Sequence, residues 1–184
     1  MTRKAKVVIA ALACSAVVGL AGCGSHDHID LGGVKIGMTR DEVAAAAPPG
    51  STVYCRGEGD QQFEDKAHLP PSTSGTWCTW ATGTAPDRST TPVMIGATPS
   101  TEVMLVFGPD GQIASVAVGT APDSFGAVVK SLEDTLGSPD SDLGIGGVKW
   151  KRKDGTLAVS SSGMGSANEM TVLLLTPTRP QAGS

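Results

Sequence analysis

The chain has 184 residues, a length that suits one domain or two small packed halves. Acidic residues outnumber basic ones by 18 to 14, and the formal net charge of −4 argues against nucleic acid and against docking on anionic lipid headgroups. Aromatic residues make up only 4% while Gly (24) and Pro (12) are plentiful, so the core has to rest on Val, Leu, Ile, Met and Ala.

Taken in chain order, Arg3, Lys4 and Lys6 precede an apolar stretch from Val7 to Leu20, and Ala21, Gly22 and Cys23 follow it. Basic, then apolar, then small residues is the build of a secretory signal. The apolar run is shorter than the ~20 residues a membrane span needs, and no later segment is long or apolar enough to span. Leu20-Ala21-Gly22-Cys23 resembles the lipobox of bacterial lipoproteins. The resemblance implies cleavage after residue 22 and lipid attachment at Cys23, with acylation (palmitate or a related chain) of the new amino terminus. Two or three acyl chains give stable anchoring where one does not. The expected product is an exported protein tethered by lipid to the cell membrane or the outer membrane. Losing three basic residues with the signal makes it more acidic still.

Residues 23–33 read as a polar tether, Cys-Gly-Ser-His-Asp-His-Ile-Asp-Leu-Gly-Gly. Thr39-Arg40-Asp41-Glu42 forms a capping box, with Met38 and Val43 placed for a hydrophobic staple. The helix it starts stops at Pro48-Pro49-Gly50. Thr52–Cys55 reads as a strand, Arg56 to Gly75 as a polar loop, and Thr76–Ala81 as the next strand. Val93–Ile95 is a short extended piece. Glu102–Phe107 and Gln112–Val118 form a hairpin around Gly108-Pro109-Asp110-Gly111. Phe125, Val128, Val129, Leu132 and Leu136 lie at helical spacing, with Gly137 as cap and Pro139 blocking continuation. Val148–Arg152 and Thr156–Ser160 flank Asp154-Gly155, a strong hairpin signal. Glu169–Thr176 is a final strand.

The order helix then strands occurs twice, a loose internal duplication. It predicts an α+β fold of two helix-plus-antiparallel-sheet units, residues 34–121 and 122–177, with the helices packed on one face of the sheet. A disordered tail, 178–184, follows. Thr156 and Thr171 are expected on the free face of that sheet. The segment Val34-Lys35-Ile36-Gly37-Met38-Thr39-Arg40-Asp41-Glu42-Val43 resembles the opening of the SmpA/OmlA (BamE-like) envelope lipoproteins. Their Leu-Gly-x-Pro ending stands after the second helix as Leu136-Gly137-Ser138-Pro139. A tandem pair of such units is similar to the β-lactamase-inhibitor-protein architecture. These resemblances imply a helix-plus-sheet plan and a protein-binding role in the envelope.

Cys14 leaves with the signal and Cys23 is the lipid site, so Cys55 and Cys78 remain. In an exported protein two leftover cysteines most simply form one disulfide, worth ~3 kcal/mol in the chain-entropy model. His26-Asp27-His28 with Asp30 is the one metal-like cluster, but structural sites want four fixed ligands, so it reads as a hydrophilic spacer. No metal and no cofactor are expected. His68 stands in a loop, Ser160-Ser161-Ser162-Gly163 has no base implied nearby, and Gly144-Ile145-Gly146-Gly147 lacks the Lys-Ser/Thr of a phosphate loop. No catalytic residue is assigned, and the chain is expected not to be an enzyme. Lys149-Trp150-Lys151-Arg152-Lys153 is the one basic patch. On a strand Trp150 and Arg152 face one way and the three lysines the other, which reads as Trp150 packed under the sheet with a charged outer face; the alternative is a contact for an anionic partner, polysaccharide or lipid headgroup.

The expected function is that of a non-catalytic, membrane-anchored envelope lipoprotein acting as a protein-interaction module in envelope assembly or maintenance. The alternative is a tethered carrier of a small ligand, lipid or glycan. A docking module predicts an exposed apolar patch on the sheet, and a carrier predicts an internal cavity.

Overall fold

Strands carry this structure, a computed structural model that describes residues 27–71, 75–144, 146–162 and 169–178. Cys23 and His26 lie outside the described residues, as do the signal segment and residues 179–184. In chain order the elements are α1 (Arg40–Ala45), β1 (Thr52–Cys55), α2 (Gln61–Lys66), β2 (Thr76–Thr82), β3 (Ser89–Thr90), β4 (Met94–Ile95), β5 (Thr98–Phe107) and β6 (Ile113–Thr120). A single 3-10 turn, Pro122–Ser124, leads into α3 (Phe125–Leu136), and then come β7 (Ser141–Asp142), β8 (Gly147–Lys151), β9 (Thr156–Ser162) and β10 (Met170–Thr176). The strands join in one sheet, β1-β2-β5-β6-β10-β9-β8-β7, with β3 on β2 and β4 on β5. Every pairing among the described strands is antiparallel.

The expected pair of helix-plus-sheet units is overturned. The sheet dominates, and α1 and α2 are only six residues each. β6 pairs β10 through Val118↔Leu173 and Val116↔Leu175, so strands from both halves of the chain close on each other. That pairing satisfies an edge each half would otherwise leave open. One hydrophobic core then runs from Ile29 to Leu175. The helices also do not share a face. Side chains alternate along a strand, so Val53 and Cys55 of β1 face the main core while Tyr54 faces the other way. α2 packs on that other side, where Phe63 meets Tyr54 edge-on with ring centroids 5.0 Å apart.

On the core side, α1 contributes Val43, and α3 contributes Val128, Leu132 and Leu136 at a four-residue interval. The capping box forms as expected. The Thr39 hydroxyl accepts from the Glu42 N–H, and the Glu42 carboxylate accepts from the Thr39 N–H at 2.7 Å. Those hydrogen bonds to Thr39 hold the Glu42 carboxyl below its ordinary pKa. The Gly108–Gly111 turn joins β5 and β6, with Gly111 in the left-handed region at φ 74. Two short strands, β3 and β7, carry no pattern that marks them in the sequence.

The segment expected as a tether begins to pack by Asp27. Ile29 and Leu31 are buried in the main core, and Leu31 bridges to Val34. The Ile29 N–H lies 3.2 Å from both carboxylate oxygens of Asp154. The N-terminal stretch is thus strapped onto the β8–β9 turn. Gly155 in that turn is buried, and a Cβ there would stand 2.9 Å from Leu175 Cδ1 and 3.0 Å from the Thr176 carbonyl oxygen. The carbonyl belongs to the sheet and cannot step aside. Gly155→Ala is therefore expected to destabilise by about 1–3 kcal/mol. A urea melt followed by far-ultraviolet circular dichroism checks it, and an unchanged midpoint would contradict the close approach.

Candidate functional site: the open face of the sheet

Pairing register decides which residues share the face turned away from the main core. One row across the strands reads Met104, Ala117, Leu174, Ala158, Lys149. The next reads Glu102, Gly119, Val172, Ser160, Gly147. Four strand spacings separate β5 from β8, about 19 Å. Ala117, Ala158, Gly119, Ser160 and Gly147 make up half of the two rows, with Leu174 and Val172 in the middle and Met104, Glu102 and Lys149 towards the ends. Leu174 stands up from the middle of the face with 41% of its surface exposed. An exposed Leu at the centre of a sheet face, among small residues, is a patch and not a stray surface apolar residue.

α2 walls one side of this face. It covers only the β1–β2 end, where Phe63, Ala67 and Leu69 pack with Tyr54 and Ala81. A polar node holds it there. Glu64 is 3% exposed and accepts from the Tyr54 hydroxyl at 3.1 Å and from the Gly57 N–H at 2.8 Å. The Asp60 N–H donates to the Tyr54 hydroxyl at 2.9 Å, and Arg88 pairs with Asp60 at 3.0 Å while its guanidinium lies 4.4 Å over the Tyr54 ring. Burial pushes the Tyr54 hydroxyl pKa up, against the Asp60 N–H bond that lowers it. Glu64, Tyr54, Asp60 and Arg88 each have a partner within the node, so it reads as a fastening for α2. This node was not foreseen. Its one sequence signal is Asp60 standing three residues before Phe63, where its side chain accepts the Phe63 N–H at 3.1 Å as a helix cap.

At the corner where α2 ends, His68 adopts a left-handed backbone, φ 52, and the Leu69 N–H reaches back to the Glu64 carbonyl at 2.9 Å. Gly is the usual residue at such a helix end. The His68 ring instead sits with Nδ1 3.9 Å from Glu102 Oε1. A register shift between Ser100 and Glu102 aims the carboxylate there. Burial raises the Glu102 pKa, and the charge of His68 only partly opposes it. At the opposite corner, Lys149, Lys151, Thr156 and Thr176 line a surface groove of about 570 Å³.

No protein family, curated protein or solved structure matches this chain.

Cys55 and Cys78 form the expected disulfide, a directly opposed cross-strand pair of β1 and β2 with an S–S distance of 2.02 Å. It ties the β1 edge to the sheet. Cys23 lies outside the described residues. Of the metal-like cluster, Asp27 pairs with Lys153 at 2.6 Å, His28 lies 3.2 Å from Asp154, and Asp30 accepts from the Gly33 N–H at 2.6 Å. These side chains close the N-terminal strap. Trp150 is buried in the main core, and Arg152 reaches the Leu136 carbonyl and Asp140, so the lysines are left on the other side as the alternation required. Thr156 lies on the open face as expected. Thr171 does not: β10 turns Leu173 and Leu175 inward, and Thr171 goes with them, fully buried and donating to the Pro122 carbonyl at 3.3 Å.

Proposed function

We propose that this protein is a lipid-anchored envelope lipoprotein, held in the membrane through Cys23. Its role is that of a non-catalytic protein-interaction module whose docking surface is the open face of the sheet. The observation that carries the reading is Leu174, 41% exposed in the middle of the face, with Ala117 and Ala158 as its cross-strand neighbours and Val172 beside it on β10. An open sheet face with a raised apolar side chain fits a complementary protein surface better than a small molecule, which needs concavity. The signal-like N-terminus and the Cys55–Cys78 disulfide support export to an oxidising compartment. The resemblance of Val34–Val43 to BamE-like lipoproteins supports an envelope role.

The test is in-cell photo-crosslinking from Ala158 and Thr156, with Leu174→Glu as the face variant and Cys23→Ala as the anchor control. One dominant crosslinked protein is expected, lost or reduced at least tenfold by Leu174→Glu at unchanged expression, the scale of ~1.4 kcal/mol or more at a desolvated anchor. Absence of any protein adduct at normal expression would sink the docking reading and redirect the search to lipids, glycans and small ligands.

A further inference from the structure

We propose that the β8–β9 turn end of the sheet, with Lys149 and Lys151, is an edge that binds the phosphate of anionic phospholipid headgroups and seats the domain on the membrane. The inference rests on the lipid-anchor reading of Cys23. Its first support is the N-terminal strap. The Lys153 N–H donates to the Asp27 carbonyl at 3.1 Å, and Lys153 Nζ donates to the Asp27 carboxylate at 2.6 Å. The Asp27 carboxyl is held below its ordinary pKa, chiefly by that Lys153 hydrogen bond. Ile29 is buried beside the same turn, with its N–H on Asp154. Only four peptide steps join Cys23 to Asp27, and a chain spans at most ~3.6 Å per residue. The lipid attachment point therefore lies within about 14 Å of Asp27, which touches this turn, whatever path the chain takes. The anchor thus holds this end of the domain close to the bilayer.

The second support is the charge left over at that end. Arg152 is paired with Asp140 at 2.9 Å and Lys153 with Asp27, while Asp154 serves Ile29 and His28. Lys149 and Lys151 make no salt bridge among the described residues, and Lys149 is only a minor contributor to the charges that lower the Asp140 pKa. Both flank the groove that Thr156 and Thr176 also line, so ammonium and hydroxyl donors converge without an acid among them. That donor set suits a phosphodiester oxygen. The chain as a whole is acidic, but screening limits the reach of its other charges to about 8–10 Å, so a headgroup at this edge meets the lysines first. Anionic headgroups attract each such lysine by ~1 kcal/mol, about fivefold per residue. With the turn seated, β9 rises about 20 Å from Thr156 to Ser162. The open face then stands side-on to the membrane, free for a partner.

The experiment uses the acylated protein in phosphatidylcholine vesicles, with and without phosphatidylglycerol. A fluorophore is placed on Pro177→Cys near the edge or on Ser162→Cys at the far end, and a headgroup-nitroxide lipid is the quencher. Strong quenching at 177 and little at 162 is expected. Phosphatidylglycerol should deepen the quenching at 177, and Lys149→Gln with Lys151→Gln should remove that increment. Both lysines are surface residues, and an unchanged thermal melt confirms the fold. Quenching at 177 that ignores phosphatidylglycerol and the lysines overturns the headgroup edge. So does loss of the increment to inorganic phosphate but not to chloride of equal ionic strength, which would assign the groove to free phosphate. Mass spectrometry of the N-terminal peptide keeps the two readings apart, because a Cys23 without acyl chains overturns the anchor reading on which this one stands.

Discussion

Replacing Trp150 with Ala is expected to cost about 3–5 kcal/mol, the range for emptying a buried aromatic site. Trp150 is fully buried on β8, opposite Leu157 of β9. Its indole N–H donates to the Gly137 carbonyl at 2.7 Å, just past the end of α3. One side chain thus fills the core beneath α3 and fixes where that helix stops. Trp150→Phe keeps most of the volume and loses only the hydrogen bond, so about 1–3 kcal/mol is expected from the unpaired carbonyl. Guanidinium unfolding of the disulfide-intact protein, followed by circular dichroism, separates the two variants. Domains of this kind hold only about 5–15 kcal/mol in reserve, so the Ala variant should melt many degrees lower. A loss below about 1 kcal/mol would mean that the indole is not the packing element assigned here.

Replacing Glu64 with Ala is expected to cost about 3–5 kcal/mol, because removing one member of a buried charged network strands the rest. The Tyr54 hydroxyl and the Gly57 N–H would lose their acceptor, and Arg56, 3.9 Å from the carboxylate, would lose its counter-charge. Glu64→Gln keeps an acceptor oxygen and should cost markedly less. The consequence for function differs from that of Trp150→Ala. α2 is six residues long and cannot hold its shape without packing. Its loss would bare Trp77 and Tyr54 beside the open face. Protection of the 61–69 amides in hydrogen exchange should vanish in Glu64→Ala while that of β6 and β10 survives. If protection falls equally everywhere, the node is part of the global fold and not a local fastening.

The sequence also shows where such predictions stop. Asp60 and Phe63 mark a helix only in hindsight, because the surrounding residues 56–75 are polar and rich in turn formers. The Glu102–His68 corner depends on a bulge in β5 and a left-handed residue after α2, neither of which has a sequence signature here. Trp150 and its flanking lysines were legible because a strand forces alternation whatever it packs against.

What the sequence by itself determined is the chemistry that acts over a few residues. The Thr39–Glu42 capping box, the Gly108–Gly111 and Asp154–Gly155 turns, the stripe of Val128, Leu132 and Leu136, and the pairing of the two leftover cysteines all belong here. Each rests on backbone geometry or on a count of reactive groups. Only the tertiary structure decided that β6 meets β10 and merges the halves into one sheet, that α2 takes the opposite face from α1 and α3, and that Asp27 to Leu31 straps onto a turn 125 residues away. Those outcomes depend on which apolar faces and open strand edges find each other. Hydrophobic attraction has no direction, and a strand edge accepts any partner with matching register.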